Sequence, residues 1–225
     1  MKDLTIGNEY KVILKFSIPI LAGNLFQQLY NIIDSIIVGN YLGKNALAAV
    51  GFSFNITLLL LALSMGITMG TSIIISQYYG AKDMHRIKKA IDTCYVFSFI
   101  LSIIVTVLGI HFSESILILF KVPSEVLPLA KIFLNTILIG TVCSFGYNTI
   151  TNVLRGLGDS KTAVYFLIIS AILNIILDII FVIILKMGIR GAALGTVTSQ
   201  TFAFLGTYIY MADCQAKCDT SCKNT

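Results

Sequence analysis

Six long apolar runs, separated by short polar connections, dominate the pattern of hydrophobic and polar positions along this chain. Each run has at least the roughly 20 residues that a helix needs to cross a hydrocarbon core. The pattern therefore predicts six transmembrane helices, at about residues 12–38, 50–78, 91–112, 127–150, 162–185 and 191–211. We expect residues 1–11 to precede the membrane, residues 12–211 to form a six-helix transmembrane lobe, and residues 212–225 to form a polar tail.

Composition agrees with a membrane protein and excludes an ordinary soluble domain. Hydrophobic residues make up 56% of the chain and charged residues only 12%, which is about half the charged share of soluble domains. The predicted fold class is therefore an all-α membrane protein, a bundle of six transmembrane helices.

The placement of Lys and Arg predicts an orientation in the membrane. Of the 16 basic residues, most lie in the segments on the side that carries both termini. The other side has Lys44, Lys121, Lys131, Lys186 and Arg190. Because an excess of basic residues marks the cytoplasmic side, we expect both termini in the cytoplasm and the lobe in the cell membrane. The basic residues are scattered among the connections, so we expect no nucleic-acid partner.

Two aspartates, Asp34 and Asp178, lie inside long apolar runs. An acid at membrane depth costs at least ~2.5 kcal/mol and usually marks an ion or proton pathway. The alternative is a structural carboxylate that bonds to a neighbouring helix. Asn174 precedes Asp178 by four residues, so both side chains project from one face of their helix.

The first predicted helix differs most from a plain membrane anchor. Pro19 removes a backbone donor and should bend the helix. Gln27, Asn31 and Asp34 follow on one helical face, and such a face must meet other helices or a watery cavity. Adhesion between helices would explain the amides alone. With the acid on the same face, we interpret the stripe as the lining of a cavity.

A depth argument brings the polar groups of three helices to one level. At ~1.5 Å per residue, Asp34, Asp178 and Thr196 all fall in the outer half of the membrane, and Asn174 lies one turn deeper. Carboxylate, amide and hydroxyl oxygens suit a proton or a small hard cation. The sequence predicts a cation-coupling site from these four residues and leaves H⁺ and Na⁺ both open.

Other motifs indicate packing rather than chemistry. Small-residue pairs at Gly66 and Gly70, and at Gly191 and Gly195, predict close helix contacts. Asp159 or Ser160 should cap the fifth helix. The basic stretch at residues 81–90 predicts a helix at the lipid headgroups or a solvated connection.

No motif of an enzyme stands out. The sequence has no H-E-x-x-H and no G-x-S-x-G, which argues against metalloprotease and hydrolase chemistry. Cys214, Cys218 and Cys222 have no zinc-site spacing and no histidine nearby, so we interpret them as thiols on a polar tail. We expect no enzymatic activity, no resident metal and no cofactor apart from the coupling ion.

The chain resembles the N-terminal lobe of a multidrug and toxic compound extrusion (MATE) transporter over residues 10–211. The resemblance rests on four features in this order: Pro19 fifteen residues before Asp34 in IPILAGNLFQQLYNIIDSIIVG, the connection LRGLGDSK, the segment Asn174-Ile-Ile-Leu-Asp178, and the opening GAALGT of the last run. Each feature is loose alone, but their order and spacing make the match specific.

The resemblance implies an antiporter that exports organic, often cationic, compounds in exchange for H⁺ or Na⁺. It implies that Asp34, Asp178, Asn174 and Thr196 form the cation site of the lobe, and that Pro19 permits the first helix to bend. Gln27 and Asn31 then line the cavity. The expected surroundings are a small organic substrate and the lipid bilayer.

The number of spans departs from the family pattern, because members have about twelve and this chain has six. Three explanations follow: a fragment of a longer product that lacks its C-terminal lobe, a half-transporter that pairs with a second copy, or an inactive remnant. Two further functions remain as alternatives. One is export of lipid-linked sugars or cell-wall precursors within the same superfamily, and the other is a non-transporting membrane subunit that binds a partner protein.

Overall fold

Over the residues that the structure describes, the fold is an antiparallel bundle of six long helices joined by short connections. The computed structural model describes the backbone of residues 9–223 and the side chains of residues 10, 14 and 17–213. The helices are α1 (Glu9–Leu42), α2 (Lys44–Gly80), α3 (Met84–Leu119), α4 (Leu127–Gly156), α5 (Ser160–Asp178) and α6 (Ile189–Lys223), and π-helical turns at Ile179–Ile184 continue α5.

Each of the six predicted spans corresponds to one helix, so the predicted all-α six-helix class is confirmed. Most helices run beyond the predicted apolar limits, as expected where a helix continues into the headgroup region. Within the described residues, α2, α3, α4 and α5 with its π-helical turns are long and apolar enough to cross a membrane. The backbone of α6 continues into the predicted tail as far as Lys223, and the three cysteine side chains of the tail lie outside the described residues.

Helix α4 occupies the centre of the bundle and packs against α6, α2 and α3. Glycines in α4 permit its close approach to α6. A Cβ at Gly140 would overlap the side chain of Val197, and a Cβ at Gly146 would overlap the ring of Phe204. Without a hydrophobic driving force between helices in lipid, such close contacts are the main source of helix association.

Two apolar clusters close the bundle at its opposite ends. One joins the end of α1 to the starts of α2, α4 and α6, with Val38, Ala49, Leu134 and Ala192 almost fully buried. The other lies at the turns between α2 and α3 and between α4 and α5, around Ile75 and Leu154 and their neighbours. The four residues of the predicted cation site lie between these clusters.

The turn between α4 and α5 shows how the sequence ends one helix and starts the next. Gly158 adopts a φ of 83°, a conformation that glycine tolerates without strain. Asp159 then caps α5 by accepting from the backbone N–H of Thr162 at 3.2 Å, as predicted. Its second oxygen accepts from the hydroxyl of Tyr210 at 3.0 Å, so the cap also joins α5 to α6.

One packing prediction requires correction. Gly66 and Gly70 of α2 are exposed, and a Cβ at either position would meet nothing within 4 Å. The face of α2 that packs carries Ser64 and Thr68 instead, and Thr68 accepts from Asn152 of α4 at 3.0 Å. The basic stretch at 81–90, predicted as a headgroup-level helix or a solvated connection, is a short turn followed by the first two turns of α3, which Asp83 caps. Most of its residues are exposed.

Candidate cation site

The site is built where α5 changes from α-helical to π-helical geometry. Asp178 is the last residue of α5 and is 0% exposed. The π-helical turns begin at the next residue, Ile179. Single π-helical segments inside α-helices occur often at functional sites. The sequence carries no clear signal for this change, since the segment reads only as an apolar, Ile-rich run.

The start of α6 packs directly on this part of α5 because it is rich in small residues. Gly191 lies against the backbone oxygen of Phe181, which a Cβ would approach to 2.9 Å. One turn further, a Cβ at Gly195 would overlap Oδ1 of Asp178. The predicted small-residue contact at these two glycines is therefore confirmed, and it places the next residue, Thr196, beside the α5 acid.

Asn174 links Asp178 to Thr196. It is 2% exposed, and its amide has one orientation that satisfies both of its polar atoms. In that orientation Nδ2 donates to Oδ2 of Asp178 and Oδ1 accepts from the backbone N–H of Thr196, each at 3.2 Å. With the amide turned over, Nδ2 would instead lie 3.4 Å from the Thr196 hydroxyl.

Helix α1 adds the second acid. The carboxyl groups of Asp34 and Asp178 lie close enough to interact directly with each other. Oδ1 of Asp34 and Oδ1 of Asp178 are both buried, and neither has a hydrogen-bond partner among the described residues. Buried carboxylate oxygens without partners are rare in folded proteins because they lose the hydrogen bonds of water.

No basic side chain compensates this pair within the described part of the chain. The charged group that acts on each acid is the other acid. Two facing carboxylates repel each other strongly in a medium of low dielectric constant, and a buried charge without a partner costs several kcal/mol. The pair can therefore hold a proton or a small cation, and its oxygen donors are those that hard cations prefer.

The structure thus brings together Asp34, Asp178 and Thr196, which the sequence predicted at one membrane level, and Asn174, predicted one turn deeper. Their role as a cation-coupling site stays a prediction. Gln27 and Asn31 lie half-buried on α1, and Asn31 donates to Gln28 of its own helix at 3.2 Å. Neither makes a described hydrogen bond to the acids.

Tyr30 belongs to this environment although the predicted site set does not include it. Its hydroxyl lies close to the side chain of Gln27 and within electrostatic reach of both Asp34 and Asp178. The sequence signal was its place in the polar stretch of α1. Pro19 lies inside α1, half-buried and four turns before Asp34.

Comparison with known proteins places the chain in a family. The MatE family model matches residues 19–180, which begin at Pro19 and contain both acids. Probable multidrug resistance protein YpnP of Bacillus subtilis (strain 168) is 40% identical over 209 residues, covering 93% of this chain and 47% of that protein. The chain therefore spans about half the length of the curated relatives it matches.

Solved structures show the same relationship. The outward-facing conformation of a multidrug resistance MATE family transporter superposes with a TM-score of 0.88 at 31% identity, covering 92% of this chain and 46% of that one. A MATE structure in the bent conformation superposes with a TM-score of 0.85 at 32% identity, covering 91% of this chain and 45% of that one. The chain belongs to the MATE family of membrane transporters and has the fold of one of its lobes.

Proposed function

We propose that this chain is the N-terminal lobe of a multidrug exporter that exchanges organic, mainly cationic, compounds for H⁺ or Na⁺. The observation that carries the proposal is the Asp34–Asp178 pair, in which each acid has a buried oxygen without a partner. YpnP is described as a probable multidrug resistance protein and the outward-facing structure as that of a multidrug resistance transporter, which supports the exported class of compounds.

Ion binding would act on the arrangement of α1 against α5. Without a cation, the repulsion between the two carboxylates favours their separation; with one bound, they are held together. Asp34 is carried by α1, which contains Pro19 and so lacks one backbone hydrogen bond upstream. We infer that α1 bends near Pro19 as the ion binds, and that Gln27 and Asn31 move with the cavity wall. The bent conformation of a relative supports this inference.

The second half of the transport cavity would come from a C-terminal lobe or from a second copy of this lobe. The proposal rests on the relatives, which are about twice as long as the matched region.

The excess of basic residues on one side supports cytoplasmic termini in the cell membrane.

The coupling ion can be tested in membrane vesicles that contain the native polypeptide carrying this sequence. Efflux of ethidium, a fluorescent organic cation, is followed after imposing a proton gradient alone, a sodium gradient alone, or neither. We expect one of the two gradients to accelerate efflux at least tenfold over that in vesicles without a gradient. The reason is that the coupling ion then binds the acid pair from one side of the membrane and is released on the other.

Vesicles without the polypeptide provide the background rate, and an ionophore that dissipates the effective gradient should return efflux to it. If neither gradient changes the efflux rate while the polypeptide is present and folded, ion-coupled export is excluded.

A further inference from the structure

A cleft between α2 and α3 lies on the outside of the bundle, away from the acid pair. Its volume is about 410 Å³, and it is lined by one face of each helix near the turn that joins them. From Tyr78 to Ile67 on α2 and from Arg86 to Phe97 on α3, the walls extend for three helical turns, or about 16 Å. The length of the cleft is therefore close to the thickness of one leaflet, which is half of the ~30 Å hydrocarbon core.

The two ends of the cleft differ in chemistry. At the turn end, Arg86 and Lys89 are exposed, and the guanidinium of Arg86 lies 5.8 Å from the ring centre of Tyr78. At the other end, the walls are Ile67, Cys94 and Phe97. A cationic, aromatic mouth thus leads into an apolar slot.

The positive charge at the mouth is only partly neutralised. Arg86 forms an ion pair of 3.2 Å with Asp83, whose side chain is 38% exposed. Lys89 has no carboxylate partner in the described part of the chain, and Lys82 and Lys88 add two more cations near the turn. Basic clusters next to a membrane helix attract anionic lipid headgroups.

We propose that this cleft is a binding site for an anionic phospholipid of the adjacent leaflet. The phosphate group lies between Arg86 and Lys89, and an acyl chain occupies the slot that ends at Phe97. Charge complementarity at the mouth, the apolar interior and the length of the slot together select this occupant over a soluble anion or an uncharged lipid. The site does not depend on the proposed transport function.

These 225 residues contain no tryptophan, so within this lobe a single introduced indole reports on one place. We would place it with Phe97→Trp at the inner end of the cleft. As a matched reporter, Phe112→Trp makes the same change on the exposed surface of α3, far from the cleft. The protein is reconstituted in nanodiscs of phosphatidylglycerol and phosphatidylcholine at a 1:3 ratio, with bromine on the chains of either one lipid or the other. Headgroup composition is then identical, and quenching shows which lipid contacts the indole.

At the Phe97→Trp reporter, phosphatidylglycerol should be favoured over phosphatidylcholine by roughly fivefold or more, as one or two basic contacts provide. At the Phe112→Trp reporter the preference should be near unity. Adding Arg86→Gln and Lys89→Gln should abolish the preference at the cleft. Exchanging the two side chains with Arg86→Lys and Lys89→Arg keeps both positive charges and should retain the preference.

Three outcomes would overturn the proposal. The first is equal preference at the two reporters, which would indicate ordinary surrounding lipid. The second is a preference that persists in the Gln double variant. The third is an absence of lipid preference at the cleft reporter together with a saturable change in its tryptophan emission when inorganic phosphate replaces chloride at constant ionic strength, which would show that the mouth binds free phosphate and not a lipid.

Discussion

Asp178→Asn in the native polypeptide should reduce ion-driven ethidium efflux at least tenfold, to the rate without a gradient, while the protein still inserts in the membrane. Asparagine keeps nearly the same shape and can still bond to Asn174, so the junction between α5 and α6 should remain packed. What is lost is the negative charge that faces Asp34. Without that charge there is no repulsion between two acids for the coupling ion to relieve, so ion binding no longer changes how α1 lies against α5.

Asp92→Asn is the matched control, because it makes the same acid-to-amide change on the exposed face of α3. Its efflux should equal that of the unmodified protein. Membrane content and melting temperature are measured for both variants. Gradient-driven efflux that survives in a well-folded Asp178→Asn protein would contradict the assigned role of this acid.

Gly195→Ala should have a comparably large effect through a single added methyl group. A Cβ at this position overlaps Oδ1 of Asp178, which is fully buried and cannot move away freely. Either α6 shifts from α5, or the carboxyl group rotates away from Asp34. We expect a loss of about 1–3 kcal/mol in the free energy of unfolding, as for other overpacked interiors, together with loss of ion-driven efflux.

Gly66→Ala provides the control for this substitution, since a Cβ there meets nothing within 4 Å. It should leave both unfolding in mixed micelles and efflux unchanged, or should stabilise α2 slightly. If Gly195→Ala behaves like Gly66→Ala in both measurements, the close contact between α6 and Asp178 is not a feature of the folded protein.

The sequence predicted the six helices because crossing a bilayer demands about 20 apolar residues, and that demand leaves an unmistakable pattern. It also predicted which polar residues meet. Polar groups in a membrane must find partners, and the fixed rise of a helix gives their depth. Asp34, Asp178, Asn174 and Thr196 were therefore predictable as a group from three separate runs.

Other features depend on contacts that no single segment encodes. The π-helical turns after Asp178 are formed by an Ile-rich run that is equally compatible with a regular α-helix. Gly66 and Gly70 have the same spacing as Gly191 and Gly195, but the first pair is exposed and the second packs against α5. Which pair packs depends on the neighbouring helix, and the local sequence does not specify that helix. The cleft between α2 and α3 likewise becomes visible only once both helices are placed.

The central claim is that Asp34 and Asp178 together bind the coupling ion, and ion-dependent stability of the purified chain tests it most directly. Melting is followed in detergent while Na⁺ is raised at constant pH, and while H⁺ is raised at constant Na⁺, with choline maintaining ionic strength. The unmodified chain should be stabilised by one of the two ions in a saturable way, by about 2.7 kcal/mol at 100 times the dissociation constant. Asp34→Asn and Asp178→Asn should each abolish that response, whereas Asp92→Asn should retain it. A response that is absent from the unmodified chain, or that is undiminished in Asp178→Asn, would contradict the claim.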